Sequence, residues 1–543
     1  MSSQGFDLLV TAYLFRFMRN HDLRRLFQLC LLFSIFRAGA IFTETKEAQD
    51  LVDARLIESL KNTIPFLMRQ NPTPGLNIAL ARRSKIIWEA GFGFADLEKK
   101  IPMAADTVFH SGSMAKTFTA TATMQLIEQG VIGLRDPVNK YFKTFKITNP
   151  LGDREITVYD LLTHRSGLAE NAAAFDFNGP QPLEKYLARA YSQSTSEGYG
   201  GDLVKRWTAK VGEKYQYSNL GMSTLGYLVQ LTNPERLSFS DYMQRHIIDP
   251  LGMKSTEFPE VQDAGHIKKE IFNRMSKGYA SFGGVFIPTP TMYVGDYPAG
   301  TIVGTPGDLL HFALALANHG NYNGYQLLKP ETVQQMLSPQ QKLAPNVEGG
   351  LVFRLRDFGQ PEFNFGHSGA HMFGWTNDFR AYPDQDFAVA VATNQWNMGV
   401  DLLSVAPAIE DFISAWLKYE KAGAHKTVRE PHTWAWKASY VMGMVMVERI
   451  RGGLGINRPI TPEMVEAMSS DPKVGAMSSR AKENWDPAGF RAGVEDMLKV
   501  EMKPTAIKSF VESDRLRINP EELLPISQEL GATISLLPWG LIQ

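Results

Sequence analysis

Ser113-Met114-Ala115-Lys116 places a hydroxyl and an amine three residues apart. On a helix that spacing puts both side chains on one face, one turn apart. At a helix start, free N–H groups and the helix dipole favour developing negative charge. A lysine amine desolvated beside a serine can lose its proton and serve as its base. The pair is a self-contained activated nucleophile that needs no histidine. Ser479-Arg480-Ala481-Lys482 repeats the spacing and reads as a solvated loop or helix end. What sets Ser113 apart is the chemistry further along the chain.

Tyr217-Ser218-Asn219 supplies a phenol that can relay a proton and an amide that can bond a substrate amide. Alone it would read as a turn with a packed aromatic. His367-Ser368-Gly369 sets a polar ring, a hydroxyl and a glycine on a strand, where the missing side chain lets a substrate backbone come close. The three motifs follow one another in the order a serine acyl-transfer site needs. His110-Ser111-Gly112 fits the third pattern too, but it runs directly into the nucleophile helix and cannot be the opposing strand. His164, His311 and His371 lack metal-ligand spacing and read as structural or surface residues, with His371 a candidate for the pocket wall.

Several elements must hold these groups. Residues 47–70 read as a helix interrupted at Pro65. Leu76–Ala81 and Lys85–Gly91 read as two strands joined by the turn Arg82-Arg83-Ser84. The Ser113 helix runs to about Gln129 and closes at Gly130, and another spans Thr305–Asn318 with Thr305 as its cap and Pro306 in its first turn. Strands return at Phe363–Gly369, Gly374–Tyr382 and Phe387–Thr393, and Ile409–Tyr419 is a closing helix. Residues 136–300 read as helices and loops that line most of the substrate pocket. A sheet built from both ends of a segment, with a helical insert between, is an α+β layout. Residues 422–432 suit a linker, and 433–543 a helical domain with start signals at Thr461-Pro462, Asp486-Pro487 and Asn519-Pro520-Glu521-Glu522. The Met-rich run Val441–Val447 reads as a buried helix of that domain.

The chain of 543 residues is 44% hydrophobic and 21% charged with net charge −1, which fits a full globular core and gives no basic run for nucleic acid. Residues 1–40 read as a signal segment: a basic stretch from Met18, an apolar core at Leu26–Phe36, then Ala38-Gly39-Ala40. Met18 would be a natural start. The apolar core is too short for a bilayer span. A periplasmic or secreted protein, without a stable membrane span after cleavage, is the expectation. Cleavage after Ala40 would remove Cys30, the only cysteine, and with it thiol catalysis and zinc–thiolate sites.

Taken together the motifs resemble the serine β-lactamase and penicillin-binding-protein superfamily. The likeness is to the branch of class C β-lactamases, D-Ala-D-Ala carboxypeptidases, D-aminopeptidases and esterases. It runs from about residue 47 to 420 and includes the framing segments Leu161–Leu168, Asp249–Thr256 and Pro298–Leu309. It implies a β-lactamase-like α+β fold, an antiparallel sheet flanked by helices, with 433–543 as a C-terminal helical accessory domain. It also implies a covalent acyl-enzyme on Ser113, general-base and relay work shared by Lys116 and Tyr217, and a substrate amide bound by Asn219. His367, Ser368, Gly369 and Ala370 would line the substrate, with the N–H groups of Ser113 and Ala370 as oxyanion hole. Class C β-lactamases carry lysine where this chain has His367, and a neutral imidazole holds a carboxylate less firmly. The expected activity is that of a peptidase or amidohydrolase on small or linear peptides. A carboxylesterase or acyltransferase on the same site is the alternative, ahead of a β-lactamase or a binding protein with a relict site. In length and motif set the chain is also similar to a peptidase of this family that hydrolyses linearised microcystin. No metal or organic cofactor is expected, and the oligomeric state stays open.

Overall fold

The computed structural model describes residues 49–61, 63–65, 67–68, 72–169, 180–192, 207–282, 285–290, 293–371, 374–397, 405–421, 432–448, 460–470, 485–500, 515–519, 522–523 and 526. The signal segment, Ser479–Lys482 and nearly all of the 422–432 linker lie outside these residues. The chain divides into residues 1–59 and 60–543. The first unit is described from residue 49, where it is helical.

Nine strands form the main sheet of the second unit: β1 Gly75–Arg82, β2 Lys85–Asp96, β3 Ile101–Pro102, β4 Gln341–Ala344, β5 Val347–Gly349, β6 Arg354–Arg356, β7 Asn364–His371, β8 Trp375–Tyr382 and β9 Phe387–Thr393. Their order across the sheet is β4-β5-β6-β7-β8-β9-β1-β2-β3, and every pairing is antiparallel. The N-terminal hairpin thus joins the sheet beside the last strand, as the α+β layout requires. β1 and β9 are buried along their whole length, which explains their nearly unbroken apolar sequences. Arg83 and Ser84, both at positive φ, make the two-residue turn between β1 and β2.

The helices that matter here are α1 Ala115–Glu128, α2 Asn219–Thr232, α3 Tyr297–Gly300, α4 Pro306–Ala317, α5 Val405–Lys421, α6 Trp434–Glu448, α7 Pro462–Ser470 and α8 Pro487–Leu498. Side chains alternate across the sheet at β8. Phe379 and Ala381 join the apolar cluster of Leu309, Leu310 and Phe312 on α4. Arg380 and Tyr382 point the other way and reach Glu410 and Ser414 of α5 at 2.8 and 2.6 Å. The sheet is therefore covered on both faces.

α1 is buried on every side from Ala115 to Leu126, although every second residue from Thr117 to Thr123 is threonine. Those hydroxyls bond the carbonyls of Met114, Pro298, Thr117 and Thr119 at 2.6–2.9 Å, so none of the four is stranded. A helix held this way is a rigid platform for whatever stands at its start. The expected α4 cap is present: Thr305 Oγ1 accepts from the Asp308 N–H at 3.2 Å.

The insert is not only helix and loop. Tyr279–Phe282 and Val285–Pro288 form a hairpin, extended by the parallel strand Gln395–Asn397. Toward the C-terminus, Tyr440, Val441 and Met444 of α6 pack with Phe490, Val494 and Met497 of α8 in an apolar cluster whose members, among the described residues, all lie in 434–526. The Met-rich run is thus buried helix, as its sequence reads. α7 and α8 start at the expected Pro462 and Pro487, with the Asp486 side chain accepting from the Gly489 N–H at 2.9 Å. No described helix is long and apolar enough to cross a membrane.

Candidate active site

Ser113 stands on a 3-10 turn, Gly112–Met114, that feeds directly into α1. The sequence places it in the first turn of the α-helix itself, and the structure moves it one short turn ahead. The spacing still works: Lys116 Nζ lies 2.9 Å from Ser113 Oγ. The lysine side chain is fully buried, and its amine also donates to the Ala299 carbonyl of α3 at 2.7 Å. Ser113 is half-buried, so its hydroxyl reaches the surface while its partner does not.

Tyr217 comes from the loop before α2, with its ring centroid 4.9 Å from Lys116 Nζ. The same ring lies 4.7 Å from His164 and 6.4 Å from His367. Ser218 caps α2 by accepting from the Gly221 N–H at 3.1 Å. That cap fixes Asn219 as the first helical residue. Among the described residues, Asn219 Oδ1 is buried and accepts no hydrogen bond.

The third motif lies on β7. His367 is 2% exposed, and its Nδ1 faces the Ser368 carbonyl at 2.5 Å. A carbonyl only accepts, so Nδ1 carries the proton and Nε2 presents a lone pair. Burial pushes the imidazole well below its usual range, helped by the charges of Arg354 and Lys116. His367 is thus a neutral acceptor, not a cation for a substrate carboxylate. Gly369 has a different task from the one its sequence implies. A Cβ there would meet the Ser111 carbonyl oxygen at 2.0 Å, so the glycine makes room for the protein's own backbone. From the other side, Gly112 sits at φ +55°, and a Cβ on it would meet the Ala370 carbonyl oxygen at 2.6 Å. The first and third motifs thus touch backbone to backbone, with Ala370 exposed at the junction.

Four further residues belong to this region. His164, read from sequence as structural or surface, is buried beside Tyr217, with Nδ1 accepting from the Ser218 N–H at 3.2 Å. Burial, then Lys116 and Arg354, lower it to about 3. Arg354 of β6 donates to Ser368 Oγ at 2.8 Å. Asp296, just before α3, is 2% exposed, and desolvation pushes its carboxyl up to about 7 against the pull of Lys116. His371 is buried and bonded through Gln262 to His110. A narrow recess opens beside His367, lined by His164, Tyr215, Gln341, Phe353 and Arg354 among others. Among the described residues its lining comes mostly from residues 341–367, with Leu162, Thr163, His164 and Tyr215 from the insert, and it does not include Ser113. His164 had a visible signal in the sequence through its place in a framing segment, and His371 through its place directly after the third motif. Arg354, Asp296 and Gln262 sit in no motif.

The family model described as Beta-lactamase matches residues 60–412. The chain belongs to the beta-lactamase family. Among curated members, Protein flp of Staphylococcus aureus is 27% identical over 205 residues, covering 37% of this chain and 38% of that protein. The chain thus spans well under half the length of that relative. Among solved structures, the hydrolase EstCE1, described with promiscuous acyltransferase activity, superposes with a TM-score of 0.54 at 18% identity, covering 66% of this chain and 99% of EstCE1. D-amino acid amidase from Ochrobactrum anthropi superposes at 0.53 and 20% identity, covering 67% and 99%. At such identities these structures speak for the fold alone. The fold is the beta-lactamase one, a large antiparallel sheet between helices.

Proposed function

We propose that this member of the beta-lactamase family is a serine hydrolase that works through an acyl-enzyme on Ser113, acting on small or linear peptides that end in a free carboxylate. The observation that carries this reading is the buried Lys116 amine 2.9 Å from a half-buried Ser113 hydroxyl. Ser113 Oγ attacks the carbonyl carbon as its proton passes to the Lys116 amine, which serves as base once it has lost its own proton. The carbonyl oxygen gains the charge and is held by the Ser113 and Ala370 N–H groups. The C–N bond then breaks, and the leaving amine takes the proton through Lys116 and Tyr217. Water, deprotonated by the same pair, attacks the ester, and Ser113 recovers its proton. The unpartnered Asn219 Oδ1 is an acceptor suited to a substrate N–H.

The carboxylate preference rests on Arg354. Where class C β-lactamases offer lysine, His367 offers only a neutral lone pair, and Arg354 brings a guanidinium to the same motif from the next strand. An ester would pass through the same tetrahedral intermediate, and EstCE1 shares the fold, so esterase or acyltransferase turnover is the second reading. The likeness to a peptidase of linearised microcystin puts linear peptides first. Turnover of linear peptides, D-amino-acid peptides, p-nitrophenyl esters and nitrocefin tests the proposal. Peptides should lead and nitrocefin should trail. Nitrocefin efficiency on the order of 10⁶ M⁻¹s⁻¹, or no turnover of any acyl substrate, would overturn it. Residues 433–543 are proposed as an accessory domain, and export as the fate of the chain. N-terminal sequencing of protein from its native host tests export.

A further inference from the structure

Gln262 is 3% exposed and lies under the junction of the first and third motifs. Its Nε2 donates to the Thr301 carbonyl at 3.2 Å and to His110 Nδ1 at 3.1 Å. Its Oε1 accepts from His371 Nε2 at 3.2 Å. The Thr301 carbonyl can only accept, so the NH₂ end of the amide must face it. That orientation makes His110 present a lone pair at Nδ1 and makes His371 carry its proton on Nε2. Each contact adjoins a working group. His110 stands three residues before Ser113, His371 directly follows Ala370, and Thr301 stands two residues after Ala299, which holds Lys116. The two rings lie 5.0 Å apart, and His110 packs on Trp375 at 4.4 Å. Burial, then His371, keep His110 well below its usual pKa, which suits the lone pair it presents at Nδ1.

We propose that Gln262 is a positioning residue for acyl transfer: one amide clamps the nucleophile turn, the end of β7 and the Lys116 carbonyl loop, so that the Ser113 and Ala370 N–H groups converge on one oxyanion. The proposal rests on the serine-hydrolase reading. The clamp is shared by three segments far apart in sequence, and an apolar side chain of equal length would fill its space without joining them. Its contribution is therefore to geometry in the transition state, which lowers kcat rather than binding when lost.

The test uses the full chain, a fluorophosphonate probe and a p-nitrophenyl ester, with melting measured alongside. Gln262→Met should lower kcat and kcat/KM together by roughly 10- to 100-fold with KM within about twofold. The labelling rate should fall by the same factor. His371→Phe should behave likewise, His371→Gln, which keeps a donor toward Oε1, should stay within about threefold of wild type, and the Met/Phe double variant should be no worse than the poorer single. Wild-type labelling in a folded Gln262→Met chain, a loss confined to KM, or additive losses would overturn the clamp. Should Gln262→Met fail to fold, the His371 pair decides by the same readouts; failure of both Gln262→Met and His371→Phe to fold makes the role one of stability alone and ends the proposal. A wild-type chain that the probe never labels at Ser113 refutes the underlying serine chemistry instead.

Discussion

Replacing Arg354 by glutamine should erase a preference for substrates with a carboxylate end. Arg354 is half-buried on β6, bonded to Ser368 Oγ at 2.8 Å, and its side chain lines the cleft beside His367. His367 cannot replace it, because its only proton is committed to the Ser368 carbonyl. A hydrogen bond to a charged group is worth about 1.5–3 kcal/mol. At about 1.4 kcal/mol per decade, its loss lowers kcat/KM by roughly 10- to 150-fold. Partial solvent screening at a half-buried site favours the lower end. The assay compares one linear peptide with a free C-terminus against the same peptide capped as the amide, at fixed salt. Wild type should prefer the acid; Arg354→Gln should lose that preference, with the capped peptide changed by less than about threefold. Arg354→Lys should recover part of the effect, since an ammonium keeps the charge but not the planar fork. Equal losses on both peptides, or an acid preference that survives Arg354→Gln, would refute the reasoning.

Three further outcomes follow from the geometry. His164 is lowered to about 3 by burial, so the unfolded chain gains a proton near the ordinary histidine pKa while the folded chain does not. Its stabilising contribution is whole above about pH 6.5 and shrinks as pH falls toward 3, by about 1.4 kcal/mol per unit at most. Denaturant midpoints at pH 7 and pH 5 should therefore drop more in wild type than in His164→Gln, and equal drops would contradict it. Gly112→Ala adds left-handed strain of about 1–2 kcal/mol and a Cβ 2.6 Å from the Ala370 carbonyl oxygen, so kcat should fall about 100-fold and the melting point with it; wild-type kcat would contradict this. A chain ending near residue 425 should fold and keep Ser113 reactive toward a small ester, because among the described residues α6 and α8 form a cluster drawn from 434–526. An insoluble or unreactive truncation would show that these helices complete the catalytic core.

The parts of the fold legible in the sequence were those set by local rules. The Ser113–Lys116 spacing, the Thr305-Pro306 cap and the buried runs of β1 and β9 follow from helix geometry, capping and apolar patterning. The β4–β6 edge was not legible, because its strands are three or four residues long and mix lysine, glutamate and arginine with few apolar positions. The hairpin of Tyr279–Phe282 and Val285–Pro288 has its sequence signal in Gly283-Gly284, a pair hard to tell from the other Gly-rich loops of the insert. Gly369 showed its presence but not its purpose, since the Ser111 carbonyl that fills its space comes from far away in the chain. Arg354, Asp296 and Gln262 act through neighbours that only the tertiary structure brings together, so no spacing announced them.

Ser113 is proposed to form the covalent acyl-enzyme. Fluorophosphonate labelling of the intact chain followed by peptide mapping, in wild type, Ser113→Ala and Ser479→Ala, tests this. One adduct is expected on the peptide containing Ser113, absent in Ser113→Ala and unchanged in Ser479→Ala. An adduct on Ser479, or labelling that survives Ser113→Ala, would contradict it.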